Sequence, residues 1–111
     1  MKLSDLLHKD FIIAELKSTA KEDVINELID LFDNDTRVID IKKVRDAVLD
    51  REKIMSTGVG KGFAIPHGKT SAVNEILAAF GKTEHPIDYQ ALDNQPIQLV
   101  FLLVWNSLLC L

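Results

Sequence analysis

The chain has 111 residues, 47% of them apolar and 27% charged, which allows one domain with a real core and is short for two. Its net charge of −4 excludes the clustered basic surface on which nonspecific nucleic-acid binding depends. A single cysteine, Cys110, excludes an internal disulfide and any cysteine-based metal site, and the longest apolar run, Leu99 to Trp105, is far shorter than the roughly 20 residues that span a bilayer.

The opening residues mix Lys2, Asp5, Lys9 and Asp10 with leucines and lack the pattern of a secretory signal, so a cytoplasmic location without membrane insertion is expected. Leu3 to Leu7 predicts a short helical turn, and Phe11-Ile12-Ile13 a short buried strand. Thr19 and Glu22 have capping-box spacing, and behind them Ala20, Val24, Leu28 and Leu31 recur at helical period, with Ile25 and Phe32 widening the stripe. The turn formers Asp33-Asn34-Asp35-Thr36 end that helix. Asp33 also resembles the start of a calcium loop, but Val38 and Val44 stand where glycine and glutamate belong. Asp40 predicts the N-cap of a second helix with Ile41, Val44 and Val48 on one face, fraying near Glu52.

From Thr57 to Gly68 the texture changes to loop, short strand and kinked exit. Ile76 to Phe80 and Ile97 to Val104 predict buried strands, separated by a turn-rich segment with Pro86, Asp93-Asn94 and Pro96. Helices followed by mixed strands predict an α/β or α+β domain, a mixed sheet flanked by helices. His8 is expected on a surface turn and His85 in a connecting loop.

Gly58 to Thr70 is the segment most suited to chemistry. Gly62 to Thr70 fails as a P-loop, because five residues separate Gly62 from Gly68 where that loop needs four, and Pro66 removes a donor. A dinucleotide fingerprint fails at Phe63. A proline-flanked histidine in a loop is most often an ordinary hydrogen-bonded residue. Phosphoryl transfer is the sharper reading: neutral imidazole is nucleophilic near pH 7, so His67 can accept the group. Thr57, Gly58, Gly60, Gly62 and Gly68 can bring backbone N–H groups to the phosphate, and Arg51 can supply a guanidinium fork. No metal or other cofactor is needed.

The blocks Arg51-Glu52-Lys53, Ser56-Thr57-Gly58-Val59-Gly60-Lys61-Gly62 and Ala64-Ile65-Pro66-His67-Gly68 resemble the signature of the fructose/mannitol-type (type 2) EIIA domain of the phosphoenolpyruvate-dependent sugar phosphotransferase system. Leu3-Ser4-Asp5-Leu6-Leu7, Lys21-Glu22-Asp23-Val24-Ile25, Pro86-Ile87-Asp88 and Leu99-Val100-Phe101-Leu102-Leu103 are similar too, so the likeness covers residues 1–104.

The resemblance implies a mixed sheet flanked by helices. It also implies a phosphotransferase component in which His67, as the phosphorylated nucleophile, takes phosphate from the histidine phosphocarrier protein on the ring nitrogen farther from its backbone. The group then passes to a cysteine of an EIIB domain of a sugar permease, and Arg51 stabilises the phosphate.

Residues 105–111 form an atypical apolar tail. The family continues there with a turn and a helix bearing a second active-site histidine, so the domain is expected to be incomplete at its C-terminus. One sheet face would then be bare, with homo-oligomerisation through it. A regulatory, nitrogen-type EIIA acting by phosphorylation-dependent partner binding, and an inactive remnant, are the alternative readings.

Overall fold

The computed structural model describes residues 8–108; the helical turn expected at 3–7 and the end of the apolar tail, with Cys110, lie outside the described residues. After a 3-10 turn, Lys9–Phe11, strand β1 (Ile12–Leu16) forms at the sheet edge. Its expected burial is only partial. Ile12 is 46% exposed and Leu16 alone is fully buried, because β1 has a partner on one side only.

Helix α1 (Lys21–Ile29) runs on into a 3-10 turn, Asp30–Phe32, and buries Val24, Ile25, Leu28, Ile29 and Phe32. Ala20 is exposed and Leu31 only half-buried, so the stripe is rotated toward Ile29. The capping box at Thr19 and Glu22 does not form. The helix starts later than expected, with Ala20 at the N-cap and no side-chain cap. Its approach is held from within the helix instead: Glu27 accepts from Lys17 N, Ser18 N and, at 2.8 Å, Ser18 Oγ. Asn34, at φ 67°, turns the chain in the expected cluster.

Helix α2 (Ile41–Ile54) has the expected cap, with Asp40 accepting from Lys42 N at 3.0 Å and Lys43 N at 3.4 Å. It does not fray at Glu52, which is 7% exposed and fully hydrogen-bonded.

The remaining strands are β2 (Gly58–Gly60), β3 (Phe63–Ala64), β4 (His67–Lys69), β5 (Leu77–Ile87) and β6 (Ile97–Trp105). They join β1 in one mixed sheet ordered β1-β5-β6-β3-β2, with β4 also on β6. The sheet flanked by helices is thus as expected. Strand β5 is longer than expected and contains both His85 and Pro86, which sequence reasoning placed in a loop. Its register with β6 shifts between Lys82 and Ile87, so the N–H that Pro86 lacks falls where the ladder is irregular.

Alternation along β6 divides the sheet into two faces. Val100, Leu102 and Val104 are completely buried in one core with Val24, Leu28, Val44 and Val48 of the helices. Leu99, Phe101, Leu103 and Trp105 point the other way and are half-exposed, as are Phe63 and Phe80 in register with them. No helix among the described residues is long and apolar enough to cross a membrane.

Candidate functional site

Strands β3 and β4 pair in succession with the same edge of β6: Phe63 and Ala64 with Leu99 and Val100, then His67 with Leu103. Between them Ile65-Pro66 leaves the ladder. Ile65 N donates to Thr57 O at 3.0 Å, and Pro66 O accepts from Leu103 N at 3.1 Å. The Ile65 carbonyl is left facing the histidine ring, with His67 Nδ1 at 3.0 Å. A carbonyl can only accept, so Nδ1 carries the proton in the neutral ring and Nε2 carries the lone pair. Nε2 lies on the ring's far side from that carbonyl. It is the ring nitrogen on which the resemblance implies phosphorylation.

Gly68, next in β4, faces the opposite way, toward α2. A Cβ there would lie 2.9 Å from Val48 Cγ2, 3.0 Å from Val48 N and 3.2 Å from Ala47 C. Only glycine lets the helix come this close, and the approach brings Arg51 to the histidine. Ala47, Asp50, Arg51 and Ile54 of α2, His67, Gly68 and Lys69 of β4, and Trp105 line one open pocket of about 400 Å³. The structure thus brings together His67 and Arg51, sixteen positions apart in the chain. Arg51 Nη1 donates to Met55 O at 2.8 Å, which ties one arm of the guanidinium to the helix end; among the described residues its other donors make no hydrogen bond.

The expected phosphate cradle is not assembled as a whole. Gly68 lines the pocket, whereas Thr57, Gly58, Gly60 and Gly62 do not. The β2–β3 hairpin folds against the β5–β6 connection instead. A Cβ on Gly58 would meet Ala91 at 2.7 Å, and Asp93 Oδ2 accepts from Lys61 N at 3.0 Å at the hairpin turn. Gly62 takes φ +80° there and its carbonyl accepts from Gln98 N and Leu99 N, which binds the hairpin to β6.

Thr57 belongs to a buried polar cluster. Its N–H donates to Glu52 Oε2 at 2.7 Å, and its hydroxyl bonds to both Glu52 and Tyr89. Glu52 also accepts from Tyr89 OH and pairs with Lys21 Nζ, each at 2.9 Å. Burial by itself raises the Glu52 pKa, but bonds from Thr57, Lys21 and Tyr89 outweigh it and leave the carboxyl below its ordinary value of 4.5. Burial pushes the Tyr89 phenol far up, so it remains a neutral donor. The cluster fixes Thr57, whose carbonyl holds Ile65, whose carbonyl in turn holds His67.

Sequence reasoning missed Lys69 and Asp50 in the pocket and, above all, Trp105. The indole stacks on His67 with ring centroids 5.8 Å apart and planes at 19°. Alternation from Leu99 onward puts Trp105 on the half-exposed face, but its meeting with His67 depends on the β4–β6 register. Among the described residues no group of three or more His, Cys, Asp or Glu side chains can hold a metal.

Residues 5–108 match the family model for the phosphoenolpyruvate-dependent sugar phosphotransferase system, EIIA 2. The chain is 41% identical over 103 residues to the fructose-specific EIIABC component of Bacillus subtilis, a match covering 93% of this chain and 16% of that protein. It is 36% identical over 108 residues to a nitrogen regulatory protein of Bradyrhizobium diazoefficiens, covering 94% of this chain and 67% of the relative. Among solved structures, nitrogen regulatory protein IIA-Ntr from Neisseria meningitidis superposes with a TM-score of 0.87 at 28% identity, over 95% of this chain and 71% of the other. With its sheet, its signature segment and this match over nearly its whole length, the chain belongs to the EIIA 2 family of the sugar phosphotransferase system.

Proposed function

We propose that this chain is a phosphocarrier of sugar uptake that works in the cytoplasm and carries phosphate on Nε2 of His67. The observation that carries the reading is the bond from His67 Nδ1 to Ile65 O, which leaves Nε2 unprotonated in a pocket with Arg51. The donor is the phosphohistidine of the histidine phosphocarrier protein. The Nε2–P bond forms as the donor's N–P bond breaks, and the donor ring keeps the electron pair. A cysteine thiolate of an EIIB domain then attacks phosphorus, forming S–P as Nε2–P breaks and restoring the Nε2 lone pair. Arg51 offsets the charge on the phosphoryl oxygens in both steps, and no metal is required.

The similarity to the fructose-specific EIIABC component supports the transport role. The similarity to nitrogen regulatory proteins favours a second reading, in which the same phosphohistidine governs partner binding and no phosphate reaches sugar. Incubation with phosphoenolpyruvate, enzyme I and the histidine phosphocarrier protein tests the common part. One acid-labile phosphate is expected on the chain and none on His67→Ala; a folded chain that takes up none refutes the carrier role. Adding a fructose-type EIIB separates the two readings, since transport requires loss of the phosphate to its cysteine.

A further inference from the structure

Trp105 closes β6, and the backbone holds it at two points. Its register partner in β4 is Lys69, and its carbonyl accepts from Thr70 N at 2.9 Å. The side chain falls on the face of His67, in the offset, near-parallel arrangement favoured by aromatic pairs. The bond from Nδ1 to Ile65 O fixes one atom of the imidazole but lets the plane tilt about the Nδ1···O axis. A stacked indole removes that freedom. With both restraints, the direction of the Nε2 lone pair is set before a donor arrives, which lowers the cost of aligning it with the incoming phosphorus.

We propose that Trp105 is a positioning residue for phosphoryl transfer at His67, its stacked indole holding the imidazole plane in which Nε2 attacks. The proposal rests on the phosphocarrier reading, and its first test needs no phosphoryl donor. Trp105 is the only tryptophan, so its fluorescence reports the stack directly. Removing the imidazole face from the indole changes the surroundings of that reporter. Fluorescence of the whole chain is therefore expected to differ in intensity or emission maximum between the parent and His67→Ala at the same pH. Identical emission from the two proteins overturns the stack.

The second test is the rate of His67 phosphorylation at saturating phosphorylated histidine carrier. Trp105→Phe keeps an aromatic face and is expected to stay near the parent rate. Trp105→Leu keeps apolar bulk without a ring and is expected to be about three- to tenfold slower, the rate equivalent of a lost aromatic pair. Its half-saturating donor concentration and its melting temperature are expected to stay at the parent's values. Equal rates for Trp105→Leu and the parent, or a slower variant that is merely unfolded, overturn the positioning role. A parent chain that takes up no phosphate refutes the phosphocarrier reading and this role together, while fluorescence still decides whether the rings stack.

Discussion

Gly68→Ala adds one methyl group at the place where β4 meets α2. The new Cβ would sit 2.9 Å from Val48 Cγ2 and 3.0 Å from the backbone nitrogen of Val48. The side-chain contact can be relieved by a rotamer change, but the backbone contact cannot, so strand and helix must separate. Overpacking of this kind costs about 1–3 kcal/mol, which for a domain of this size lowers Tm by roughly 5–20 °C. The separation also carries Arg51 away from His67, because the two sit on the elements being pushed apart. Phosphorylation of the variant, measured well below its melting point, is therefore expected to be slower as well. Gly62→Ala is the comparison. There the strain is in the backbone alone, φ being +80° and the nearest atom to an added Cβ being Pro96 O at 3.9 Å, so stability falls by about 1 kcal/mol without disturbing the pocket. Calorimetry and a phosphorylation time course read both variants. A Gly68→Ala protein with the parent Tm and rate would refute the claim that this close approach builds the site.

Asp40→Ala removes the N-cap of α2 and is expected to cost about 1 kcal/mol in urea unfolding while leaving the slope of the transition unchanged. Arg51→Gln is expected to slow His67 phosphorylation by about 10- to 100-fold. Arg51→Lys recovers only part of that, since an ammonium can neither fork around a phosphate nor hold Met55 O in the same geometry. The Glu52 carboxyl titrates below its ordinary 4.5, so its contribution to stability is present above that pH and is lost as pH falls through the depressed value. Glu52→Gln is accordingly expected to be less stable than the parent by about 1–3 kcal/mol at pH 7, with the gap narrowing below pH 4.5 in pH-dependent denaturation.

What could be read in the sequence follows from how local each determinant is. Asp40 caps α2 as expected because an N-cap needs only the two or three residues after it. Val24, Leu28, Val44 and Val48 were legible from helical period, and β6 from its apolar run. Thr19 failed as a cap because the helix begins one residue later, with Ala20 at the N-cap, and Glu27 anchors the preceding Lys17 and Ser18 from within the helix. Pro86 misled because a register shift against β6 makes room for it, and that is a property of the pair of strands. In the candidate site, His67 was legible through its glycine- and proline-rich surroundings and Arg51 through the family-like block. The glycines looked alike in sequence, yet Gly68 alone reaches the pocket, because β2 and β3 fold on Tyr89, Ala91 and Asp93. Trp105 read as the start of a tail; its place on the histidine depends on the β4–β6 register, which no local pattern encodes.

Phosphorylation of His67 is proposed at Nε2 because Nδ1 is held by Ile65 O. Nitrogen-15 NMR of the chain, labelled in its histidines and phosphorylated by the phosphoenolpyruvate cascade, tests it most directly. The expected result is the Nδ1–H tautomer before the reaction and phosphorus coupled to Nε2 after it. Phosphorus coupled to Nδ1, or a phosphate on His8 or His85, would contradict it.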